Sequence, residues 1–339
     1  TAMATGNKTL NGRISTDASG NPLETILEVA EREGKMTGIV TTVPLSHATP
    51  AAFGAHAVSR SNTADIAESL FFDSRLDVIM GCGNPERDED GDPRDGGALY
   101  NWIPRETWDA LVAGTAANDR DGDGDPDPWI LLDDSDRIAA LATVPDFAHA
   151  AAIPRVHSTL QQRRGGNARA GAYEVPFNDD VPTLAEMALG ALNLLSKGPN
   201  GFAVMIEGGA IDWAGHKNQG GRMIEETSAF LDAVGSVLSC LESSGLRDDT
   251  IGIVVADHET GYLLGDGSGL SFRMIGNNGA GRMPDMEWRI TGHTNSLVPF
   301  FAWGVNAGHF ANDIDGFDSR RGWFIDNTDI GRRIGSMLE

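Results

Sequence analysis

The sequence contains few cysteines, few prolines and no long apolar segment. Its 339 residues include only 2 Cys and 15 Pro, which excludes a disulfide-stabilised scaffold and a collagen-like fibre. The longest apolar runs, such as residues 251–256, are far shorter than the roughly 20 residues that a membrane-spanning helix requires. With 40% apolar and 22% charged residues, the composition is that of a globular protein. The two cysteines, Cys82 and Cys240, could form one bridge or be unpaired core residues.

Positive charge is also scarce. The chain has 26 Lys and Arg against 49 Asp and Glu, a net charge of −23, so its overall field repels nucleic acids and anionic membranes. We therefore expect no nucleic-acid-binding surface. An anionic substrate must be bound by local positive charge, either from metal ions or from a well-placed arginine. Residues 84–136 carry 16 acids and 4 bases, which accounts for more than half of the net charge.

Apolar and β-branched runs alternate with helical patterns along the chain. Asn21 as N-cap, followed by Pro22 at the first helical position, predicts a helix that ends at Gly34. Strands are predicted at 35–43, 77–81, 202–206, 250–256 and 298–303, and helices at 181–197 and 220–243. This alternation predicts an α/β fold with a central, mostly parallel sheet and helices on both of its faces.

Two segments depart from this alternation. Residues 84–175, rich in Asp, Gly, Pro and Arg, predict a long acidic insertion over the sheet within a single domain. Residues 1–6 have neither the charged region nor the apolar region of a signal peptide, and their small residues indicate the end of a helix. We therefore expect the chain to begin inside a domain.

Side chains of the types that bind metals cluster at the borders of the predicted strands. The clusters lie at 46–50, 207–216, 257–261 and 292–294. Each has a structural alternative: Thr49 before Pro50 could be an N-cap, and Asp212 with His216 could be a solvated i,i+4 pair. Sites in open α/β sheets form beyond the carboxyl ends of strands, where carboxylates and imidazoles can converge on a divalent metal. Four such clusters in one chain indicate a metal site.

The chain resembles alkaline phosphatases over nearly its whole length. The motifs that carry the resemblance are His47-Ala48-Thr49-Pro50-Ala51-Ala52 with Arg60, Glu207-Gly208 with Asp212 and His216, Ala256-Asp257-His258-Glu259-Thr260-Gly261, and Gly292-His293-Thr294. The resemblance implies hydrolysis of phosphate monoesters at a centre with two Zn²⁺ and one Mg²⁺. The implied ligands are Asp212, His216 and His293 for the first zinc, Asp257 and His258 for the second, and Thr49 and Glu207 for magnesium.

Two further residues have implied roles near the phosphate. Arg60 matches the arginine that binds two phosphate oxygens, and His47 matches a position beside the magnesium site where the family carries Asp or His. Trp213 stands where some members carry Lys or His, so the identity of the third metal stays open. If residues 50–60 formed one helix, Arg60 would lie about 16 Å along its axis from Thr49. The two can serve one site only if the helix ends early and the arginine side chain extends back.

The nucleophilic serine of the family, in an Asp-Ser-Ala context, is absent from this sequence. The resemblance implies that it lies a few residues before Thr1 and that 1–12 match the helix after it. It also implies that the aspartate bridging the second zinc and the magnesium lies further upstream, and that the N-terminal part of the fold is missing. We therefore expect the 339-residue chain to hydrolyse little or nothing. The resemblance further implies a periplasmic or extracellular location, and it is compatible with a homodimer.

Two alternative functions remain open at this point. A phosphodiesterase or sulfatase of the same superfamily usually lacks the magnesium ligands, so Thr49 and Glu207 argue against it. A non-catalytic protein that binds metal or phosphate is the other alternative. An Asp-Ser-Ala sequence upstream of Thr1 would support the enzyme, and a start codon there would support the binding protein.

The insertion contains a second acidic pattern and several tryptophans. Asp119, Asp121 and Asp123 occupy alternating positions before Gly124, as in a calcium loop, but Ile130 stands where an EF-hand has an acid. The alternatives are a Ca²⁺ site and a solvated acidic turn. Trp102, Trp108 and Trp129 are interpreted as anchors of a small core.

Overall fold

The fold was analysed in a computed structural model, which describes residues 1–144, 149–269 and 271–339. Its α-helices are α1 (Ala2–Thr5), α2 (Ile26–Arg32), α3 (Ala48–Gly54), α4 (Thr63–Glu68), α5 (Arg105–Ala113), α6 (Ser135–Ala140), α7 (Leu184–Leu195), α8 (Ala210–His216), α9 (Gly220–Ser243) and α10 (Asn327–Leu338). Its strands are β1 (Met36–Pro44), β2 (Val78–Cys82), β3 (Ala117–Asn118), β4 (Asp127–Pro128), β5 (Ile130–Leu132), β6 (Ala150–Ala152), β7 (Phe202–Glu207), β8 (Ile251–Val255), β9 (Glu259–Thr260), β10 (Leu263–Gly265), β11 (Met286–Trp288), β12 (His293–Thr294), β13 (Phe300–Gly304), β14 (Gly316–Asp318) and β15 (Gly322–Phe324). Short helical turns of other types cover Ser69–Asp73, Arg247–Asp249 and Ala307–Asp313.

A five-stranded sheet with the order β5-β6-β2-β1-β7 lies at the centre, and all its neighbouring strands are parallel. Successive residues of β1 point to opposite faces of the sheet. Ile39 belongs to an apolar cluster that includes Leu27 of α2 and Ala51 of α3. Val40 belongs to a second cluster that includes Met187 of α7. The sheet is therefore covered by helices on both faces, which confirms the predicted fold class.

The last two predicted strands do not join this sheet. β8 pairs with β13 in an antiparallel arrangement, with Phe300 opposite Val255 and Gly304 opposite Ile251. In the chain, β8 follows β7 after the helices α8 and α9. The later strand β13 runs back along β8, and the backbone groups of the two strands form hydrogen bonds with each other. Of the five predicted strands, β1, β2 and β7 therefore lie in the central sheet, and β8 and β13 form a separate antiparallel pair.

The acidic segment 84–175 also differs from the expected insertion. Its strands β5 and β6 are members of the central sheet, so the middle of the segment lies in the sheet and not over it. Residues 145–148 of this segment lie outside the described residues.

Helix α2 begins later than predicted. Its N-cap is Thr25, whose hydroxyl accepts a hydrogen bond from the Glu28 amide, while the Glu28 carboxylate accepts one from the Thr25 amide. This reciprocal capping satisfies two free donors, and it forms at Thr25 and Glu28 and not at Asn21 and Glu24, where the sequence also allowed a capping box. Gly34, with φ of 72°, follows the last turn as predicted. Helix α1 ends at Gly6, so it is shorter than the helix expected over 1–12.

Three remaining expectations concern α9, the cysteines and the membrane. Helix α9 has the predicted bounds. Cys82 and Cys240 are both free thiols, and Cys82 is buried. Among the described residues, no helix combines the length and the apolar character needed to cross a bilayer.

Candidate metal centre

The side chains that the sequence singled out converge on one cavity of about 610 Å³. Its lining includes all nine of them, namely His47, Thr49, Arg60, Glu207, Asp212, His216, Asp257, His258 and His293. They come from the segment after β1, from the end of β7 and the helix α8 that follows it, from the short segment after β8, and from β12. Four separate segments of the chain thus contribute to one site.

Asp212, His216 and His293 form the tightest group. Helix α8 places Asp212 and His216 four residues apart on one face, with Asp212 Oδ2 and His216 Nε2 separated by 3.4 Å. The pairing of β12 with β9 sets His293 opposite Thr260, and the Thr260 hydroxyl donates a hydrogen bond to Asp212 Oδ1 at 2.5 Å. His293 Nε2 lies 3.2 Å from Asp212 Oδ1 and 3.0 Å from His216 Nε2.

The donor set of this group fits a zinc ion. His216 Nδ1 donates a hydrogen bond to the Thr291 carbonyl at 2.6 Å, so the lone pair of Nε2 points toward Asp212 and His293. In a tetrahedral zinc site with bonds of about 2.0–2.1 Å, neighbouring ligand atoms are about 3.3 Å apart. The separations of 3.0, 3.2 and 3.4 Å in this group are close to that value. Lone pairs that converge at this spacing require a proton or a cation between them.

Asp257 and His258 follow β8 and lie beside the first group. His258 Nε2 is 3.0 Å from Asp257 Oδ2, and the His258 ring stacks on the His293 ring with centroids 3.6 Å apart. Burial opposes the charged form of His258, but the hydrogen bond and charge of Asp257 raise its pKa overall. Burial together with the neighbouring imidazoles lowers the pKa of His293. Donor atoms of Asp212, His258 and His293 lie within 4.8 Å of one another, so these residues could also share a cation.

Glu207 and two threonine hydroxyls form an oxygen-rich corner of the cavity. Burial raises the pKa of Glu207 to about 7, although hydrogen bonds from Thr41 and Thr49 favour its charged form. The Thr41 hydroxyl donates to Glu207 Oε2 at 2.5 Å. Carboxylate and hydroxyl oxygens are hard ligands of the kind that magnesium prefers. Thr49 is not an N-cap, because α3 begins at Ala48 and its capping position is occupied by His47.

Arg60 reaches the cavity from beyond the end of α3. The helix stops at Gly54, and Arg60 Nη2 donates a hydrogen bond to His47 Nε2 at 3.1 Å. The early helix end that the shared site required is therefore present. Burial, with a further contribution from the Arg60 charge, lowers the pKa of His47 to about 4, so the imidazole is a neutral acceptor near pH 7. The ring of Trp213 packs edge-on against His47 with centroids 5.3 Å apart.

Burial lowers the pKa of the Thr1 amino group, whereas the charge of Asp257 raises it.

The tryptophans of the acidic segment divide into two kinds. Trp108 and Trp129, with 2% and 1% exposure, are core residues as predicted, but they lie in the large apolar cluster on one face of the sheet and not in a separate small core. Trp102 packs at the border of that cluster and also reaches the site, with its ring 6.5 Å from His47 and 6.2 Å from Trp213.

Sequence reasoning missed several residues of the site. Thr41 and Thr260 hold ligand-type carboxylates, and Gln162 and Arg163 of the acidic segment line the cavity. Thr260 stands within one of the motifs, three residues after Asp257, and its hydroxyl was the available signal. Nothing local marks the other three residues.

The calcium hypothesis concerns a separate loop. Carboxylate oxygens of Asp119, Asp121 and Asp123 lie within 4.8 Å of one another, and each accepts a backbone hydrogen bond from within the loop. Both a Ca²⁺ site and a solvated acidic turn have these features, so calcium binding stays a prediction.

Comparison with known proteins identifies one family. The alkaline phosphatase family model matches residues 1–115 and 170–284. Alkaline phosphatase 3 of Bacillus subtilis is 29% identical over 271 residues, which cover 78% of this chain and 49% of that protein. Alkaline phosphatase of Escherichia coli is 30% identical over 281 residues, covering 76% of this chain and 56% of the relative. The chain thus spans about half the length of the curated relatives it matches.

Solved structures share the fold over the whole chain. A cold-active alkaline phosphatase from Shewanella sp. covers 100% of this chain and 84% of its own, with a TM-score of 0.71 and 23% identity. Alkaline phosphatase from the Antarctic bacterium TAB5 covers 100% and 83%, with a TM-score of 0.69 and 22% identity. A mutant of the TAB5 enzyme, with a TM-score of 0.66, 23% identity, and coverage of 99% and 82%, is described with Mg bound in its M3 site.

Proposed function

This chain belongs to the alkaline phosphatase family, and on that premise we propose that it forms the metal- and phosphate-binding centre of an enzyme that hydrolyses phosphate monoesters through a phosphoserine intermediate. The proposed ligands are Asp212, His216 and His293 for one Zn²⁺, Asp257 and His258 for a second, and Thr49 and Glu207 for Mg²⁺. When bound, these cations would supply electrostatic stabilisation of the attacking and leaving oxygens.

The observation that carries the proposal is the convergence of His216, His293 and Asp212. Two imidazole nitrogens and a carboxylate oxygen lie 3.0–3.4 Å apart. The tautomer of His216 is set by the Thr291 carbonyl, so that its free lone pair faces the other two. A carboxylate and two imidazole lone pairs that converge in this way, in a chain of net charge −23, favour cation binding over a purely structural role.

The chain's own residues would bind and orient the phosphoryl group. Arg60 has a planar guanidinium, which suits two oxygens of one phosphate. Its hydrogen bond to the neutral His47 restricts its orientation without placing a second positive charge beside it. Glu207 and Thr49 would fix the third cation at the inner end of the cavity.

The nucleophile in this proposal is a serine N-terminal to Thr1, since no Asp-Ser-Ala sequence occurs in these 339 residues. We therefore propose that the 339-residue chain binds phosphate but has little or no turnover of p-nitrophenyl phosphate. Export to the periplasm or the exterior and a homodimeric state are proposed from family membership alone.

The two alternatives differ from this proposal in what the cavity binds. A sulfatase would favour sulfate over phosphate, and a phosphodiesterase would need no magnesium corner. Glu207 with the hydroxyls of Thr41 and Thr49 supports the monoesterase. A non-catalytic phosphate-binding protein would bind phosphate equally well, and it would lack turnover even when a serine-bearing segment precedes Thr1.

The experiment is metal analysis and calorimetric titration of the 339-residue chain with inorganic phosphate, before and after loading with Zn²⁺ and Mg²⁺. We expect zinc to bind most tightly at Asp212, His216 and His293 and more weakly at Asp257 and His258, and phosphate to bind only when metal is loaded. Asp257→Asn and His258→Asn should lower zinc content and phosphate affinity together, whereas His309→Asn, an exposed histidine, should change neither. Normal zinc and phosphate binding in both ligand variants would contradict the assignment of the metal ligands. Brisk turnover of p-nitrophenyl phosphate by this chain would contradict the proposal that its nucleophilic serine is missing.

A further inference from the structure

The cavity has more positively charged side chains than the phosphoryl group requires. The cations that line it are Arg60, Arg163, Arg164 and Lys217. Arg164 is fully buried, and its guanidinium is paired with Glu225 at 2.9 Å, so it is not available to a ligand. Arg60 is assigned to the phosphate. Arg163 and Lys217 therefore remain as groups that could meet another part of a ligand.

Arg163 is held over the cavity by its neighbours. Its Nε lies 3.3 Å from Glu89 Oε1, and its guanidinium carbon lies 5.8 Å from the centroid of the Trp213 ring. Its amide donates a hydrogen bond to the Thr159 hydroxyl at 2.8 Å. Glu89 is fixed in turn, because its Oε1 accepts a hydrogen bond from the Ser158 hydroxyl at 2.8 Å. The side chain is thus preorganised, which lowers the entropic cost of binding a ligand.

The terminal NH₂ groups of Arg163 are still free for a ligand. Among the described residues, neither of them makes a hydrogen bond, and the side chain is 48% exposed. Lys217 is exposed as well, but none of the described ion pairs or ring contacts holds it in place. A held arginine with free donors, which lines the same cavity as Arg60 but comes from a different segment, is suited to a second anion.

We infer that Arg163 binds a second anionic group, carried by the leaving group of the phosphate monoester. The preferred substrates would then be phosphate monoesters that bear a further carboxylate or phosphate. This inference rests on the proposed function, since it takes Arg60 and the metal ligands as the site of the phosphoryl group. Trp213 and Glu89 act as positioning residues for Arg163.

The test compares two rigid ligands that differ by one charge. Phenylphosphonate and 4-carboxyphenylphosphonate are titrated into the metal-loaded 339-residue chain by calorimetry. We expect the carboxylated ligand to bind about tenfold more tightly, a preference that falls as salt is raised. Arg163→Gln should remove this preference and leave the affinity for phenylphosphonate within about twofold, which also shows that the variant is folded. The matched control is Arg155→Gln, in the same segment, whose guanidinium pairs with Asp133.

The other results of these titrations would contradict the inference in different ways. If the wild-type chain does not distinguish the two ligands, or if Arg163→Gln keeps the preference, the inference is overturned while the proposed function stands. If Lys217→Gln removes the preference instead, the assignment to Arg163 is overturned. If Arg163→Gln loses phenylphosphonate as well, the arginine contacts the phosphoryl group and not the leaving group. If the metal-loaded wild type binds neither ligand, the proposed function fails and this inference fails with it.

Discussion

His216 Nε2 and His293 Nε2 lie 3.0 Å apart, although 77 residues separate them in the chain. The Thr291 carbonyl accepts the Nδ1 proton of His216, so the two imidazoles can approach this closely only if a proton or a cation lies between their Nε2 atoms. Asp212 stands against both rings and adds negative charge at the same point. The fold therefore brings these three residues to a position where a divalent cation would relieve the repulsion between their lone pairs.

Loss of one imidazole should weaken zinc binding more than it weakens folding. We predict that His293→Asn lowers the affinity of the 339-residue chain for zinc by roughly 100-fold, because the tetrahedral set loses a ligand. Competition with a chromophoric chelator measures this affinity. The control is His309→Asn, an exposed histidine away from the cavity, which should leave the affinity unchanged. Equal zinc affinities for the two variants would contradict the assignment.

Thr260 should affect zinc without binding it. Its hydroxyl donates to Asp212 Oδ1, so Thr260→Val frees the carboxylate to rotate, and we predict a loss of about 10–100-fold in zinc affinity. Thr294→Val is the matched control on the paired strand, because its hydroxyl donates to Glu259 Oε2. The same chelator competition applies. A larger loss in Thr294→Val than in Thr260→Val would show that general distortion of the ladder accounts for the effect.

The site could be predicted from the sequence because strand ends carry information about position. Buried strands are recognisable from their apolar, β-branched runs, and ligand-type residues at the carboxyl end of such a run predict a site. This is why His47, Glu207 and Asp257 could be assigned to one site without coordinates. Arg163 could not, because a side chain that reaches a site from a distant loop leaves no local pattern in the sequence.

Strand pairing was less predictable than strand position. The run in β8 has the composition of a buried parallel strand, yet it pairs antiparallel with β13. Apolar periodicity reports burial, and it does not report which neighbour supplies the hydrogen bonds. Strands β5 and β6 were not predicted, because three residues are too few to show an alternating apolar pattern in an acidic, glycine-rich segment.

The start of α2 offers a direct test of a mistaken boundary. Thr25 caps the helix, so we predict that Thr25→Ala lowers the free energy of unfolding by about 1 kcal/mol. Asn21→Ala should cost less than about 0.5 kcal/mol, because Asn21 is exposed and bonds only to Asp17 in a turn. Urea unfolding monitored by circular dichroism gives both values. If Asn21→Ala lowered the free energy of unfolding more than Thr25→Ala, Asn21 and not Thr25 would be the helix cap.

Two adjacent glutamates on α9 differ in their partners. Glu225 is paired with Arg164, whereas Glu226 Oε1 is buried and makes no hydrogen bond among the described residues. Burial raises the pKa of Glu226 to about 8, from a model-peptide value near 4.5. Between these two values the folded state keeps a proton that the unfolded state has released. The free energy of unfolding therefore falls as pH rises from about 4.5 to 8, by an amount on the order of a few kcal/mol.

Glu226→Gln should remove that dependence, because glutamine has the shape of the protonated acid and carries no charge. We predict that the metal-free variant is more stable than the wild type at pH 8, by roughly 1–3 kcal/mol, and nearly equal to it at pH 5. Glu225→Gln leaves Arg164 buried without its partner, so it should destabilise the fold at both pH values by about 3 kcal/mol. Urea unfolding of all three proteins at pH 5, 6, 7 and 8 measures these differences. If the gap between Glu226→Gln and the wild type were the same at pH 5 and pH 8, Glu226 would be ionised in the folded state throughout, and its burial would have to be balanced by a cation.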